Sequence, residues 1–153
     1  MGRVQILEIT QQTPPFIKSH KRTGRRRKGE LYEQQVHQEL VSRFPCYVPS
    51  SWFHFVDSEG SKWCQPDGLL IDPWRGQITI CEVKYQHTER AYVQLFDIYL
   101  PVVLAAFGSM YQIACVEICR WFDPAVLTRV RPSLCERIER AKPSNFNVHI
   151  LKI

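Results

Sequence analysis

The chain has 153 residues, 44% of them hydrophobic, which predicts one domain with a proper core and excludes wholesale disorder. It contains no apolar run of about 18 or more residues and no signal-peptide core near its start. We therefore expect a soluble protein with no membrane partner. An intracellular, cytoplasmic location is predicted, with a bacterial or phage-host cytoplasm favoured and the nucleus left open.

The positive charge is concentrated near the N-terminus. The formal net charge is +5, and seven of the eleven residues 18–28 are Lys or Arg, whereas residues 29–153 carry 12 basic and 14 acidic side chains. We therefore divide the chain into a basic N-terminal arm, residues 1–28, and a body, residues 29–153. Clustered cations release counterions when they bind phosphates, so this arm is predicted to contact nucleic acid. The predicted contacts are Lys18, Lys21, Arg22, Arg25, Arg26, Arg27 and Lys28. A solvated tail or a nuclear import signal is the alternative interpretation.

The first half of the chain is predicted to contain strands and one helix. Residues 4–9 have the pattern of a short strand, and residues 30–44 have the spacing of a helix that ends before Pro45. Residues 51–56 and 62–71 are typical of strands joined by a hairpin turn at 57–61. The loose apolar face of the helix is formed by Leu31, Val36, Leu40 and Val41. Glu33 lies near that face, where a glutamate is usually a solvated residue.

The stretch from Trp63 to Tyr85 shows the clearest chemistry. Asp67 is placed in its first strand, and Glu82 and Lys84 lie in its second strand, residues 77–85. A turn at residues 73–76 is predicted to fold the two strands side by side, so that Asp67 and Glu82 converge. Because side chains alternate along a strand, Glu82 and Lys84 are predicted to continue the apolar side formed by Ile78 and Ile80. Charged groups in such a stripe are costly unless something nearby requires them. A divalent metal ion meets that requirement.

The second half of the chain predicts a helix, a strand, a helix and a strand. Residues 88–107 have the spacing of a buried helix, which Pro101 should kink or divide. Residues 111–119 are predicted to form a buried strand, 132–141 a helix and 147–153 a strand. The order of elements along the whole chain predicts an α/β fold with a mixed central β-sheet flanked by helices.

The six cysteines stand singly, without a C-x-x-C pair or the Cys/His spacing of a zinc site. We therefore expect free thiols in a reducing compartment, with neither zinc nor an iron–sulfur cluster.

Two motifs in the central stretch are similar to those of a known family. Pro66-Asp67 followed by Glu82-Val83-Lys84 resembles the PD-(D/E)XK nuclease superfamily, in its E-x-K form. Residues 28–40 resemble the first helix of that fold, notably in Holliday junction resolvases, which implies a metal-facing role for Glu33. Gln94 matches a glutamine that some branches carry, although Tyr99 follows one position later than their usual spacing. The resemblance covers residues 28–99, about half of the chain.

The resemblance implies a restriction-endonuclease-like core and a divalent-metal-dependent endonuclease that hydrolyses phosphodiester bonds in DNA. It further implies that Mg²⁺ or Mn²⁺ is held by Asp67, Glu82, Glu33 and the Val83 carbonyl, with Lys84 acting on the attacking water. Branched DNA and a role within a recombination or transposition complex stay open, as do RNA substrates and a homodimer or larger nucleoprotein complex. The alternative is a non-catalytic nucleic-acid-binding or assembly module with the same fold.

Overall fold

The computed structural model describes residues 3–18, 23–123, 132–141 and 145–153. Its strands are β1 (Gln5–Thr10), β2 (Tyr47–Pro49), β3 (Trp52–Asp57), β4 (Gly60–Cys64), β5 (Gly68–Asp72), β6 (Gln77–Gln86), β7 (Gln112–Trp121) and β8 (Phe146–Ile150). Its helices are α1 (Arg25–Arg43), α2 (Glu89–Val93), α3 (Leu100–Phe107) and α4 (Pro132–Ala141), with a π-helical segment (Gln94–Tyr99) between α2 and α3.

The strands form two sheets. The smaller sheet has the order β1-β3-β4, and the larger has the order β2-β5-β6-β7-β8. In the larger sheet β5 and β6 form an antiparallel hairpin, whereas β6, β7 and β8 are parallel neighbours. The prediction of an α/β fold with a mixed sheet is therefore confirmed. The finer expectation, a restriction-endonuclease-like core, stays a prediction.

Helices cover both sides of the larger sheet because β6 is apolar on both sides. Cys81 and Val83 pack with Tyr32 and Val36 of α1. The residues that alternate with them, Ile78 and Ile80, belong to the main core, which is formed largely by the α2–α3 region, α4 and the inner side of the smaller sheet. β6 is thus buried between two layers, and any charged side chain along it must be partnered or used.

The prediction of one continuous strand over residues 62–71 is wrong. β4 ends at Cys64 in the smaller sheet and β5 begins at Gly68 in the larger one, so Asp67 lies in the link between the two sheets. Pro66 has no N–H to donate to a strand ladder and therefore favours such a break. The link is fixed by two hydrogen bonds to Ser50: its N–H donates to the Asp67 carbonyl at 2.9 Å, and its carbonyl accepts from Gln65 Nε2 at 3.0 Å.

α1 begins five residues before the predicted start, so the last four residues of the predicted arm form its first turn. The buried side of α1 agrees only in part with the predicted face, since Val36 is buried and Leu40 packs beside it. Tyr32 and Val36 are buried, whereas Leu31 and Val41 are 50% and 53% exposed. At the other end of the arm, β1 pairs with β3, which confirms the strand predicted there. The division of the chain at residue 28 stays a prediction.

The break predicted at Pro101 takes the form of the π-helical segment directly before it. Proline lacks an N–H, and its ring crowds the carbonyl four residues earlier, here that of Asp97, which favours a locally wider turn. The whole helix, Glu89–Phe107, is long and apolar enough by length and composition to cross a membrane. Its side chains Ala91, Tyr92, Leu95, Phe96, Tyr99, Val102 and Val103 are buried in the protein, and the core helix of a soluble protein passes the same test.

Candidate active site

The larger sheet opens between β5 and β6. The two strands pair from Asp72 opposite Gln77 to Gly68 opposite Cys81, and beyond Cys81 the pairing of β6 continues with β7. If the antiparallel ladder continued, Val83 would face Pro66, which has no N–H to give to the Val83 carbonyl. The pairing therefore ends there and leaves a notch, which we define by Asp67, Glu82, Val83 and Lys84.

Asp67 takes the place of the missing ladder partner. Its Oδ2 accepts a hydrogen bond from the Val83 N–H at 2.6 Å. The N–H and C=O of one strand residue point to the same side of the strand, so the Val83 carbonyl also faces the notch. The hairpin thus brings the two predicted motifs side by side, as the sequence analysis expected for Asp67 and β6.

Glu82 and Lys84 form a close ion pair on β6. Glu82 is 0% exposed, and Lys84 Nζ lies 2.5 Å from its Oε1, while the lysine side chain remains 28% exposed. Within the described part of the chain, neither oxygen of Glu82 has an aligned hydrogen-bond donor. Lys84 therefore offsets the negative charge of Glu82 but leaves hydrogen-bonding capacity on its two oxygens unused. Since a buried carboxylate normally has several hydrogen-bond donors, Glu82 has the properties of a group that awaits a ligand.

The electrostatics of the notch are unfavourable for two neighbouring carboxylates. Burial raises the pKa of Asp67 well above its usual range, and the negative charges of Glu82 and Glu33 raise it further, while the Val83 N–H and Lys84 act in the opposite direction. Burial also raises the pKa of Glu82, against the lowering effect of Lys84. A cation placed among these groups would remove the repulsion.

Glu33 approaches the same place from α1. Its negative charge raises the pKa of both Asp67 and Glu82, so the third predicted acid lies within electrostatic reach of the notch. Its side chain is 38% exposed, and its Oε1 lies 3.4 Å from Nε2 of His37, one helical turn further on. The other ring nitrogen of His37, Nδ1, lies 2.7 Å from the hydroxyl of Tyr47 on β2. Sequence reasoning missed both residues. The only available signal was the placement of His37 four residues after Glu33.

Gln94 and Tyr99 meet across the π-helical segment. Gln94 Nε2 donates to the Tyr99 hydroxyl at 3.2 Å, and Gln94 Oε1 is buried without a hydrogen-bond partner among the described residues. In a π-helix residue i+5 takes the position that i+4 has in an α-helix, which accounts for the longer spacing between the two. Burial, followed by the charges of Glu82 and Asp67, raises the pKa of Tyr99, so its hydroxyl stays protonated and lies within electrostatic reach of the notch.

Four of the basic residues of the predicted arm lie at the start of α1, the helix that also carries Glu33. Arg25, Arg26, Arg27 and Lys28 form the exposed first turn of the helix, and Lys18 is exposed on the preceding segment. Lys21 and Arg22 lie outside the described residues. Arg26 precedes Glu33 by two helical turns, which places it on the same side of α1 and about 10 Å further along the axis.

This first turn is electrostatically unfavourable on its own. It contains no acidic residue, and Gly24 before it gives no side-chain cap. The N-terminus of a helix carries partial positive charge, so four cations there repel it unless an anion is bound. A phosphate group would satisfy both the free N–H groups and the cations.

A buried pair of titratable side chains, His87 and Glu117, lies beside the notch. Glu117 on β7 is the register partner of Glu82 in the parallel pair. It is fully buried, and its two oxygens lie 2.6 and 2.7 Å from Nδ1 of the buried His87. The ring of His87 packs against Tyr92 of α2. This pair was not predicted from sequence, and it ties the end of β6 to β7 next to the candidate site.

Four cysteines are buried in the sheet and core. Burial raises the pKa of Cys64, Cys81, Cys115 and Cys119 to about 12, which keeps them as inert thiols.

Across the described ranges no group of three or more His, Cys, Asp or Glu side chains is arranged as a complete metal site. A hard ion such as Mg²⁺ commonly binds through one or two carboxylates and water, so this finding is neutral for the notch.

No protein-family model, no curated protein and no solved structure matches the chain. The resemblance to the nuclease superfamily therefore depends on the two motifs and residues 28–40, and family membership stays a prediction.

Proposed function

We propose that the protein is a divalent-metal-dependent endonuclease that hydrolyses phosphodiester bonds in DNA, built on a restriction-endonuclease-like core. One observation carries the proposal: Asp67 of the β4–β5 link meets β6 beside the Glu82–Lys84 pair, and the charge of Glu33 on α1 acts on both acids. Such a cluster of acids is costly for a fold that makes no use of it.

The residues present fit a hard cation. Among the described residues neither oxygen of Glu82 has an aligned hydrogen-bond donor. The remaining candidate ligands, Asp67, Glu33 and the Val83 carbonyl, also offer oxygen. Oxygen ligands of this kind suit Mg²⁺ or Mn²⁺ rather than zinc. When bound, the ion neutralises phosphate charge and lowers the pKa of a coordinated water.

Lys84 supplies the positive charge that belongs to the protein itself. Its stem is held on β6 and its ammonium is anchored by Glu82, yet more than a quarter of the side chain reaches solvent. From there it orients the attacking water and stabilises the negative charge that grows on the phosphate in the transition state. Gln94 and the protonated hydroxyl of Tyr99 add neutral hydrogen-bonding groups on the same side of the sheet.

The basic residues bind the DNA backbone without reading bases. The exposed first turn of α1 binds a backbone phosphate, and the DNA strand then runs along the helix to Glu33. The proposal includes a cytoplasmic location and either a homodimer or a place in a recombination or transposition complex.

A cleavage assay on a panel of substrates tests the proposal. Linear duplex, nicked, single-stranded and four-way DNA, with a single-stranded RNA, are incubated with protein and Mg²⁺ or with EDTA. We expect cleavage of at least one DNA substrate with metal and none with EDTA. Lys84→Ala should slow that cleavage. Lys62→Ala is its matched control, because Lys62 is likewise paired with acidic side chains, Asp57 and Glu59, but lies in the smaller sheet. DNA binding without any metal-dependent cleavage would refute the catalytic assignment and favour a binding module.

A further inference from the structure

We infer that His37 is a positioning residue for the candidate active site, which holds the carboxylate of Glu33 toward the notch, and that Tyr47 holds His37 in turn. The inference rests on the proposed function, because it assigns the support of one predicted metal-holding residue. Neither His37 nor Tyr47 belongs to the two motifs.

The contacts run from helix to sheet. Glu33 and His37 are four residues apart on α1, so their side chains lie one above the other on the same side of the helix. Nε2 of His37 lies 3.4 Å from Glu33 Oε1, and Nδ1 lies 2.7 Å from the Tyr47 hydroxyl. The imidazole is thus fixed at both nitrogens, one toward the acid and one toward β2.

The chemistry of the three groups defines the direction of the hydrogen bonds. An ionised Glu33 only accepts, so Nε2 of His37 must carry the proton that faces it. In the neutral ring Nδ1 then accepts from the Tyr47 hydroxyl, which is a donor as long as it stays protonated. Burial, together with the charges of Cys81, Asp67 and Glu33, raises the pKa of Tyr47, which keeps that hydroxyl protonated.

Tyr47 itself is held in place by the strand that leads to the notch. β2 pairs with β5, with Tyr47 opposite Leu70 and Pro49 opposite Gly68. The hydroxyl of Tyr47 occupies the space where a side chain on Gly68 would begin, so position 68 must be glycine for the tyrosine to lie there. Gly68 is the direct neighbour of Asp67. The contacts therefore connect Glu33 on α1 to the backbone beside Asp67 and fix the separation of the two acids.

Support of this kind matters most for an exposed, long side chain. Glu33 is 38% exposed and has three rotatable side-chain bonds, so without His37 it would sample many positions away from the notch. Residues that orient the side chains holding a metal typically change its affinity, or the activity, by about 10-fold to 100-fold. A purely structural role would instead lower the melting temperature and leave the affinity of the folded protein unchanged.

The test measures Mn²⁺ binding by isothermal titration calorimetry, beside cleavage and thermal melting of each variant. Tyr47→Phe removes only the hydroxyl, His37→Leu removes both ring nitrogens, and His37→Gln restores an N–H donor at the reach of Nε2. We expect the dissociation constant for Mn²⁺ to rise about 10-fold in His37→Leu and by a smaller factor in Tyr47→Phe. His37→Gln should recover most of the affinity. Gln38→Ala, at an exposed position on the same helix, should bind as wild type does.

The outcomes separate this inference from the proposed function. If wild type binds Mn²⁺ and cleaves, and Glu33→Gln weakens binding, but folded His37→Leu and Tyr47→Phe bind as wild type does, the positioning role is refuted alone. If wild type neither binds Mn²⁺ nor cleaves any substrate, the proposed function is refuted as well. Should His37→Leu not fold, Tyr47→Phe decides, because loss of one hydroxyl leaves the packing of the ring in place.

Discussion

Asp67→Asn should stabilise the metal-free protein while it removes the function. The asparagine keeps an oxygen that accepts from the Val83 N–H, but it removes one charge from three neighbouring carboxylates. Removal of a carboxylate whose hydrogen bonds are incomplete raises the free energy of unfolding by about 1–3 kcal/mol when the group is fully buried. Because Asp67 is half-buried, we expect about 1–2 kcal/mol. For a domain of this size that corresponds to a melting temperature about 2–8 °C higher at pH 7.

The effect has a defined dependence on pH. Because the pKa of Asp67 is raised in the folded state, the unfolded chain loses this proton first as pH rises. The destabilisation by Asp67 is therefore absent below its unfolded pKa of about 4 and develops as pH rises through the folded pKa. The advantage of Asp67→Asn should accordingly be absent near pH 4 and fully developed at alkaline pH.

Thermal melts in EDTA measure the destabilisation by Asp67, and melts in Mg²⁺ measure the stabilisation by the bound ion. Wild type should gain about 1.4 kcal/mol at an ion concentration ten times the dissociation constant, whereas Asp67→Asn should gain little. Asp72→Asn is the control, because Asp72 ends β5, the strand that follows Asp67, but lies at the turn, where it accepts from the Arg75 N–H. If Asp67→Asn melts below wild type in EDTA, or if Mg²⁺ stabilises both equally, the description of the notch as a strained cation site is wrong.

Three further changes test the surroundings of the notch. Removal of one partner of the buried His87–Glu117 pair should lower the free energy of unfolding by about 3–5 kcal/mol in chemical denaturation. Replacement of both residues by leucine should cost less than the sum of the single changes, because no unpaired charge remains. Additive losses would contradict the pairing. Replacement of Arg25, Arg26 and Arg27 by alanine should weaken DNA binding for all sequences. It should also reduce the slope of log binding constant against log salt concentration by up to about 2.7. An unchanged slope would show that these arginines contact no phosphate. Pro101→Ala restores an N–H and lets the π-helical turn relax, which should separate Tyr99 from Gln94 and slow cleavage without loss of thermal stability; unchanged cleavage would refute a role for that turn.

The sequence was sufficient to predict the meeting of Asp67 with β6, because a tight hairpin forces neighbouring strands together. It was not sufficient to predict that Asp67 lies in a link between two sheets, since strand patterns carry no sign of which sheet a strand joins. The buried side of α1 was also misplaced, because apolar spacing favoured Leu31 over Tyr32, whose hydroxyl reaches the Leu151 carbonyl at 2.7 Å. That partner is distant in sequence, and its position depends on the complete fold.

The supporting residues of the site were the least predictable. His37 and Tyr47 lie on different elements and meet only after β2 pairs with β5. His87 and Glu117 are thirty positions apart and join across the parallel strands. Gln94 and Tyr99 are close in sequence, but their contact depends on a π-helical turn that an α-helical reading excludes.

The most direct test of the proposed function is the single-turnover cleavage rate of Lys84→Ala against wild type, at saturating Mg²⁺ and saturating DNA. We predict a rate lower by about 10²- to 10³-fold or more, because the ammonium acts mainly in the transition state. Mn²⁺ affinity and DNA affinity should stay close to those of wild type. A melt of each protein in the assay buffer ensures that only folded enzyme is compared. If folded Lys84→Ala cleaves at the wild-type rate, or if wild type cleaves equally well in EDTA, the assignment of the notch as a metal-dependent nuclease site is contradicted.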